Sequence, residues 1–365
     1  MKEQIALIAL SRLKGVNNIV KKHITETVES VAAFFGGGKP AVFDNVAQIK
    51  AISFKDWGKI EDDLARLDKL GAGVVTIRDK EYPPLLRNIP DPPIVLYKKG
   101  NLEIGTNNLA VVGSRKATFE GISLAEKIGE TLSSTGITVV SGLARGIDAA
   151  AHRGALKEKG KTAAILGCGI DICYPPENRQ LFNTIGEEGL LLTEYAPGEK
   201  PLSFHFPERN RIIAGLSKSI LVIEASRKSG SLITARLGLE YGREVMAVPG
   251  SIFREEYRGA NALIKQGAKL VENINDILST TLPDYKPEES KPVSLSPDEE
   301  KIFSYIDFEK VHIDVIIEKS GMKAKEVMAI LTKLEMKDVI LETPGAHYVR
   351  RIDRHSFSME KNNPI

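Results

Sequence analysis

Between about residues 107 and 279, short apolar runs alternate with segments whose apolar residues recur at helical spacing. The runs are LAVVG (109–113), ITVVSG (137–142), TAAILGCG (162–169), LLLTE (190–194), SILVIEA (219–225), EVMAVPG (244–250) and AKLVE (268–272). Most lack the strict polar alternation of a half-exposed strand, so they predict strands buried on both faces. Between them the pattern predicts helices over roughly 119–134, 147–159, 178–187, 208–216, 231–242, 259–266 and 273–279. Strand and helix in alternation imply a parallel sheet covered on both sides. With no regular eightfold repeat, the expected α/β architecture is an open, doubly wound sheet and not a barrel.

The flanks read differently. Residues 1–72 predict short helices, with a Lys14-Gly15-Val16 turn that is either a phosphate-binding helix-hairpin-helix or an ordinary helical hairpin; Asn17 stands where the former wants a second glycine. Residues 73–100 carry Pro83, Pro84, Pro90, Pro92 and Pro93, which predict an extended connector between strands Val74–Ile77 and Ile94–Tyr97. It opens a core unit spanning 73–280. Residues 281–296, rich in Pro, Ser and Glu, predict a linker. Helical patterns at 297–305, 312–319 and 323–336, then two strands around Pro344-Gly345, predict a winged helix over 297–351, with a loose polar tail over 352–365.

Composition narrows the function classes. The 365 residues carry a formal charge of +2 and 42 % apolar content, as in a globular protein. Near-neutrality leaves nucleic acid open, since a basic face can sit on a balanced chain. Two cysteines, Cys168 and Cys173, with no second pair and no nearby histidine, predict free thiols in a reducing compartment and no metal site. The start, MKEQIALIALSRLKG, is too mixed for a signal peptide, and no apolar run reaches about 18 residues, so a cytoplasmic protein with no membrane partner is expected.

Ligands of open parallel sheets sit outside the carboxyl ends of the strands. The turns there are Gly113-Ser114-Arg115-Lys116, Ser141-Gly142-Leu143-Ala144-Arg145-Gly146-Ile147-Asp148, Gly167-Cys168-Gly169-Ile170-Asp171, Arg227-Lys228-Ser229-Gly230-Ser231 and Pro249-Gly250-Ser251. Any one glycine turn is ordinary. Several on one edge, with Arg115 and Arg145 among them, favour an anionic ligand held by backbone amides, guanidinium forks and helix N-termini. FHFPERNRIIAGLSKS (204–219) adds aromatics and arginines to that edge.

A dinucleotide is disfavoured, because Gly113 and Gly121 are too far apart and the second strand ends in Ser141 without an acid. GALKEKGKT (154–162) is not a P-loop: it has one residue too many between its glycines and enters a strand. Asp148 is expected to cap a helix or orient Arg145 and His152 to satisfy a helix-end or core hydrogen bond, while Glu224 is a candidate catalytic carboxylate at a strand end with no second carboxylate to pair with it.

The chain resembles the DprA/Smf family of bacterial DNA-processing proteins. The stretches that carry the likeness include YPPLLRNIPDPPIVLYKKG (82–100), VVGSRKAT (111–118), VVSGLARGIDAAAHRGAL (139–156), AILGCGIDICYPPENRQL (164–181), FPERNRIIAGLS (206–217), KSGSLITARLGLEYGREVMAVPG (228–250) and GANALIKQGA (259–268). They cover about 82–279 densely, with a likeness in the winged-helix unit as well. The resemblance implies a Rossmann-like core that binds single-stranded DNA, forms a homodimer and loads the RecA recombinase past single-strand-binding protein in natural transformation, without catalytic turnover and with no cofactor. It implies an N-terminal unit of the SAM or helix-hairpin-helix kind. By the same likeness Gly113, Ser114 and Arg115, then Gly142, Arg145 and Gly146, then Phe206, Arg209, Asn210 and Arg211, then Ser229, Gly230 and Ser231 are expected at the DNA. The turn reading adds Gly169 and Lys228.

Aromatic stacking on a cationic groove is how single-strand binders work. Tyr174, Phe204 and Phe206 are the candidate platforms; the two phenylalanines share parity, so an extended segment would put both on one face, towards bases or towards the core. The winged-helix unit is net acidic over 297–350, with eight basic against eleven acidic residues, which suits protein interaction as well as auxiliary DNA contact. Two alternatives stand beside this reading. One is a nucleotide-hydrolysing enzyme of the phosphoribohydrolase type, which wants an acid just after KSGSLIT, where Ala235 stands. The other is a DNA-compacting protein that does not distinguish duplex from single strand.

Overall fold

The computed structural model describes residues 2–36, 45–157, 161–282, 284–285, 294–337 and 339–350. Most of the linker and the tail from Arg351 lie outside the described residues.

Five helices open the chain: α1 (Glu3–Ser11), α2 (Asn18–Thr27), α3 (Val31–Phe35), α4 (Asn45–Ile52) and α5 (Trp57–Lys69). The turn after α1 serves the hairpin itself. Val16 is buried, Asn17 caps α2 by accepting from the Val20 amide at 2.8 Å, and the Lys50 ammonium donates to the Lys14 carbonyl at 2.7 Å. Their apolar faces join the same buried cluster as one side of the central sheet, so the helices and the sheet share a core.

The proline-dense segment is itself part of that sheet. β1 (Ala72–Thr76) pairs antiparallel with β2 (Val95–Gly100), and β2 pairs antiparallel with a core strand, β6 (Leu190–Thr193). Between β1 and β2, Pro84–Arg87 forms one helical turn, α6, with proline at a first-turn position where its missing N–H is not needed. Proline content alone predicted no helix there.

The core continues β3 (Asn108–Val112), α7 (Phe119–Ser134), β4 (Thr138–Ser141), α8 (Ile147–Leu156), β5 (Thr162–Ile165), α9 (Arg179–Glu188), β6 (Leu190–Thr193), α10 (His205–Leu216), β7 (Ser219–Val222), α11 (Ser231–Glu240), β8 (Glu244–Ala247), α12 (Arg258–Lys265), β9 (Lys269–Leu270) and α13 (Ile274–Thr281). The sheet order is β1-β2-β6-β5-β4-β3-β7-β8-β9, parallel from β6 to β9. All seven predicted core strands are present. They stop short of the predicted ends, and in the runs that end in a glycine turn the turn leaves the sheet: TAAILGCG is strand only over Thr162–Ile165. Side chains alternate between faces as the pleat requires. Ala110 and Val112 of β3 join the cluster that holds α10 and the N-terminal helices, while Leu109 and Val111 join the cluster formed with α7, α8 and α13.

A separate apolar cluster builds the C-terminal unit. It comprises α14 (Pro297–Ser304), β10 (Val311–His312), α15 (Ile313–Ser320), α16 (Ala324–Met336), β11 (Ile340–Thr343) and β12 (His347–Arg350), with the small sheet ordered β10-β12-β11. Ser296 and Glu299 form a reciprocal cap at α14. This is the expected winged helix plus β10, two residues long and too short to announce itself by pattern. Among the described residues, no helix is long and apolar enough to cross a membrane.

Candidate nucleic-acid interface

The chain winds outward from β3, to β4 on one side and β7 on the other. Reversal of strand order leaves a crevice at the carboxyl ends. It holds a cavity of about 560 Å³. Ser114, Arg115 and Lys116 line one side and Lys228 to Ser231 another; Arg209 and Asn210 of α10 contribute, and Glu255 and Glu256 stand in its wall. α11 begins at Ser231 and so turns the positive end of its dipole towards the cavity.

The lining rests on a buried cation. Arg209 is 3 % exposed; its Nη1 donates to the Gly142 carbonyl at 2.8 Å and to the Ile165 carbonyl. Burial lowers its pKa to about 10, with Asp148 opposing, so the guanidinium stays charged at neutral pH. Asp148 accepts from the Gly142 amide at 3.1 Å, and burial raises its pKa while Arg209 acts against the rise. Asp148 therefore ties down the β4 turn and favours the charge on Arg209, with no ion pair to it among the described residues; Arg145 pairs with Glu177 instead, so the expectation that Asp148 orients Arg145 is corrected. A Cβ at Gly142 would fall 2.5 Å from Arg209 Nη2, so only glycine leaves room for the guanidinium. Gly146 is at φ +75°, and a Cβ there would meet the Ser114 carbonyl at 2.2 Å; the second turn is pressed onto the first.

A cation and two aromatic rings form a layered edge beside the cavity. Arg115 lies over Phe206 at 5.7 Å, and Phe206 faces Tyr174 at 5.2 Å with 35° between the rings. Arg115, Tyr174, Phe206, Gly142, Arg145 and Arg209 line one small adjoining cleft. Arg145 is exposed and pairs with Glu177 at 2.6 Å. The segment is not extended, so the shared parity of Phe204 and Phe206 does not put them on one face. The segment enters α10 at His205, so Phe206 turns into the cleft while Phe204, 56 % exposed, meets His205 edge-on.

Arg211 does not join this site, although it stands two residues from Arg209. It is buried, bonded to Glu194 and 3.5 Å from Asp91. Gly169 lies outside the lining too: its Cα packs against the 196–198 loop, where a Cβ would meet the Ala196 carbonyl at 2.7 Å. Asn210 donates to the Gly230 carbonyl at 3.4 Å and so joins α10 to the β7 turn, and Ser229 and Ser231 share a hydroxyl hydrogen bond of 2.7 Å. Glu224 is fully buried and accepts from the Thr118 amide at 2.9 Å and the Thr118 hydroxyl, which anchors the start of α7. His152 is buried against Thr162, Nδ1 to Oγ1 2.6 Å, away from the cavity. Both thiols are buried, Cys168 with its pKa pushed up to about 12 by desolvation. Glu255 and Glu256 were missed in the sequence; the Pro249-Gly250-Ser251 turn marks the start of their loop, but nothing local shows that the loop folds back over the cavity.

The profile of the family described as DNA recombination-mediator protein A matches residues 73–282, and that of the DprA winged helix domain matches residues 286–346. The chain is 34 % identical to Protein Smf of Synechocystis over 394 aligned positions, covering 96 % of this chain and 99 % of that one. It is 48 % identical to the DNA processing protein DprA of Streptococcus pneumoniae over 205 positions, 56 % of this chain and 72 % of the other. Among solved structures, DprA of S. pneumoniae superposes with a TM-score of 0.64 at 37 % identity, covering 79 % of this chain and 99 % of that one. DprA from Helicobacter pylori, described for its single-stranded DNA binding mode, superposes with a TM-score of 0.53 at 29 % identity, covering 59 % and 97 %.

Proposed function

Because the chain belongs to the DNA recombination-mediator protein A family, the DprA/Smf proteins, we propose that it binds single-stranded DNA, the ligand for which the H. pylori relative is described, and that here the strand runs along the carboxyl edge of the sheet. On this reading it protects the strand and loads RecA onto it during DNA uptake and recombination. The observation that carries the proposal is the continuity of a cation-lined cavity with the Arg115–Phe206–Tyr174 layer. Phosphates are taken by Arg115, Lys116, Lys228 and the start of α11, and a base stacks on the exposed Tyr174 ring, which Phe206 backs. Arg145 joins by exchanging Glu177 for a phosphate, which costs little because an exposed ion pair is worth about 1 kcal/mol or less. Arg209 and Asn210 support the cavity from beneath. The reading is one of binding without turnover by a homodimer in the cytoplasm, with RecA and single-strand-binding protein as protein partners and the winged helix as a domain apart from the sheet and the helices that share its core.

The test is equilibrium binding of labelled oligonucleotides across a salt series. Arg115→Ala is expected to weaken single-strand binding about tenfold or more and to lower the salt slope by about 0.7 for each phosphate it no longer neutralises. An unchanged affinity and slope would move the strand elsewhere on the protein. A strand-exchange reaction with cognate RecA and single-strand-binding protein tests delivery; no stimulation by this protein would refute it.

A further inference from the structure

The loop leaving β8 carries an unusual load. Phe253 is 88 % exposed, the most exposed large apolar side chain among the described residues, and its neighbour Ile252 is 71 % exposed. The loop is held in place at both ends. Asn261 exchanges two hydrogen bonds with the Gly250 backbone, at 3.2 and 2.8 Å. Ser251 accepts from the Phe253 and Arg254 amides, and Arg254 reaches Glu120 at 3.5 Å on the first turn of α7. Two apolar side chains fixed in water forgo the burial that would stabilise them, which marks them as a contact surface.

Ile252 and Phe253 do not line the cavity themselves, but the residues that follow them do. Two and three residues further on, Glu255 and Glu256 line the same cavity as Arg115, Lys116 and Lys228. Glu255 keeps Arg258 at 3.0 Å, but no cation among the ion pairs described answers Glu256. A phosphate is repelled by this carboxylate wall and drawn to the lysines and arginine. A nucleotide in the cavity meets both conditions in one orientation, with phosphate towards the cations and the uncharged base towards the 250–257 loop. Resting on the single-strand reading above, we infer that Phe253, backed by Ile252, is a second base-stacking platform at the cavity mouth, which receives a nucleobase of the strand whose phosphates occupy the cavity. The two platforms then flank the phosphate site, Tyr174–Phe206 on the β4–β5 side and Phe253 on the β8 side.

The test pairs Phe253→Ala with a substrate that lacks bases. Full-length protein is titrated against an oligodeoxyadenylate of about 20 nucleotides and against an abasic strand of the same length and charge. Phe253→Ala is expected to lose about tenfold in affinity for the first and less than about twofold for the second. Arg115→Ala should lose affinity for both. Equal losses on the two substrates, or no loss even in the Ile252→Ala, Phe253→Ala double variant, would overturn the platform while leaving the cation cavity standing. A change of oligomeric state in Phe253→Ala with the base-dependent loss absent would assign the loop to a second copy of the chain and likewise overturn it. If the unaltered protein binds neither strand, the single-strand reading itself fails, and the platform with it.

Discussion

Replacing Arg211 with alanine separates a structural ion pair from a phosphate contact, two roles that its neighbours in the sequence make hard to tell apart. Its guanidinium bonds Glu194 and lies 3.5 Å from Asp91, with side-chain exposures of 9 % for Arg211, 15 % for Glu194 and 33 % for Asp91. Burial works against the charge on Arg211, but Glu194 and Asp91 outweigh it and raise the pKa. Removing one partner of a buried pair costs about 3–5 kcal/mol, mainly because the other charge is left unanswered. Asp91 is a third exposed and keeps the Tyr241 hydroxyl at 3.1 Å, so the destabilisation should fall near the lower figure, about 3 kcal/mol. Urea unfolding reads that destabilisation, and the salt dependence of single-strand binding, measured well below the unfolding midpoint, reads phosphate neutralisation. Arg211→Ala should be markedly less stable with an unchanged salt slope. Arg115→Ala should keep wild-type stability with a lower slope. An Arg211→Ala protein of wild-type stability whose slope falls by about 0.7 would refute the burial argument and put Arg211 on the DNA.

Two further substitutions test the supports of the site. Gly142→Ala places a methyl 2.5 Å from Arg209 Nη2, and overpacking of this kind typically costs about 1–3 kcal/mol; a lower urea midpoint together with weaker single-strand binding is expected, and wild-type values for both would mean that Arg209 moves freely. Burial, ahead of repulsion from Arg209 and Arg153, lowers the His152 pKa to about 3. The unfolded chain takes up a proton near pH 6.5 that the folded chain refuses, so this contribution to stability is whole above about pH 6.5 and falls by about 1.4 kcal/mol per unit as pH drops towards 3. Unfolding free energies at pH 7 and pH 5 should differ less in His152→Gln than in the wild type; the same difference in both would locate the proton uptake at another group.

Periodicity and turn chemistry are local, and what depends on them was legible without the fold. The seven parallel strands, the helices between them, the winged helix and the glycine turns at the carboxyl edge follow from apolar runs of strand length and from residues that permit close backbone approach. An anionic ligand followed from Arg115, Arg145 and Lys228 standing at several of those turns. Position along the chain could not assign a direction to Arg209, Asn210 and Arg211. Successive helix residues turn by about 100°, so the three side chains diverge. Arg209 goes beneath the β4 turn, Asn210 to the Ser229–Ser231 turn, and Arg211 to Glu194 on the far side of α10. That outcome depends on α10 beginning at His205 and on which carboxylates the sheet brings to each side of it. The same holds for Glu255 and Glu256, eight or more residues beyond the last core residue of β8, which line the cavity only because their loop returns over it. Pattern along the chain determined which segments would form the edge; packing of the sheet against α10 and the β8 loop decided which side chains face a ligand there, because desolvating a guanidinium or a carboxylate is tolerable only where an opposite charge or a carbonyl has been brought within reach.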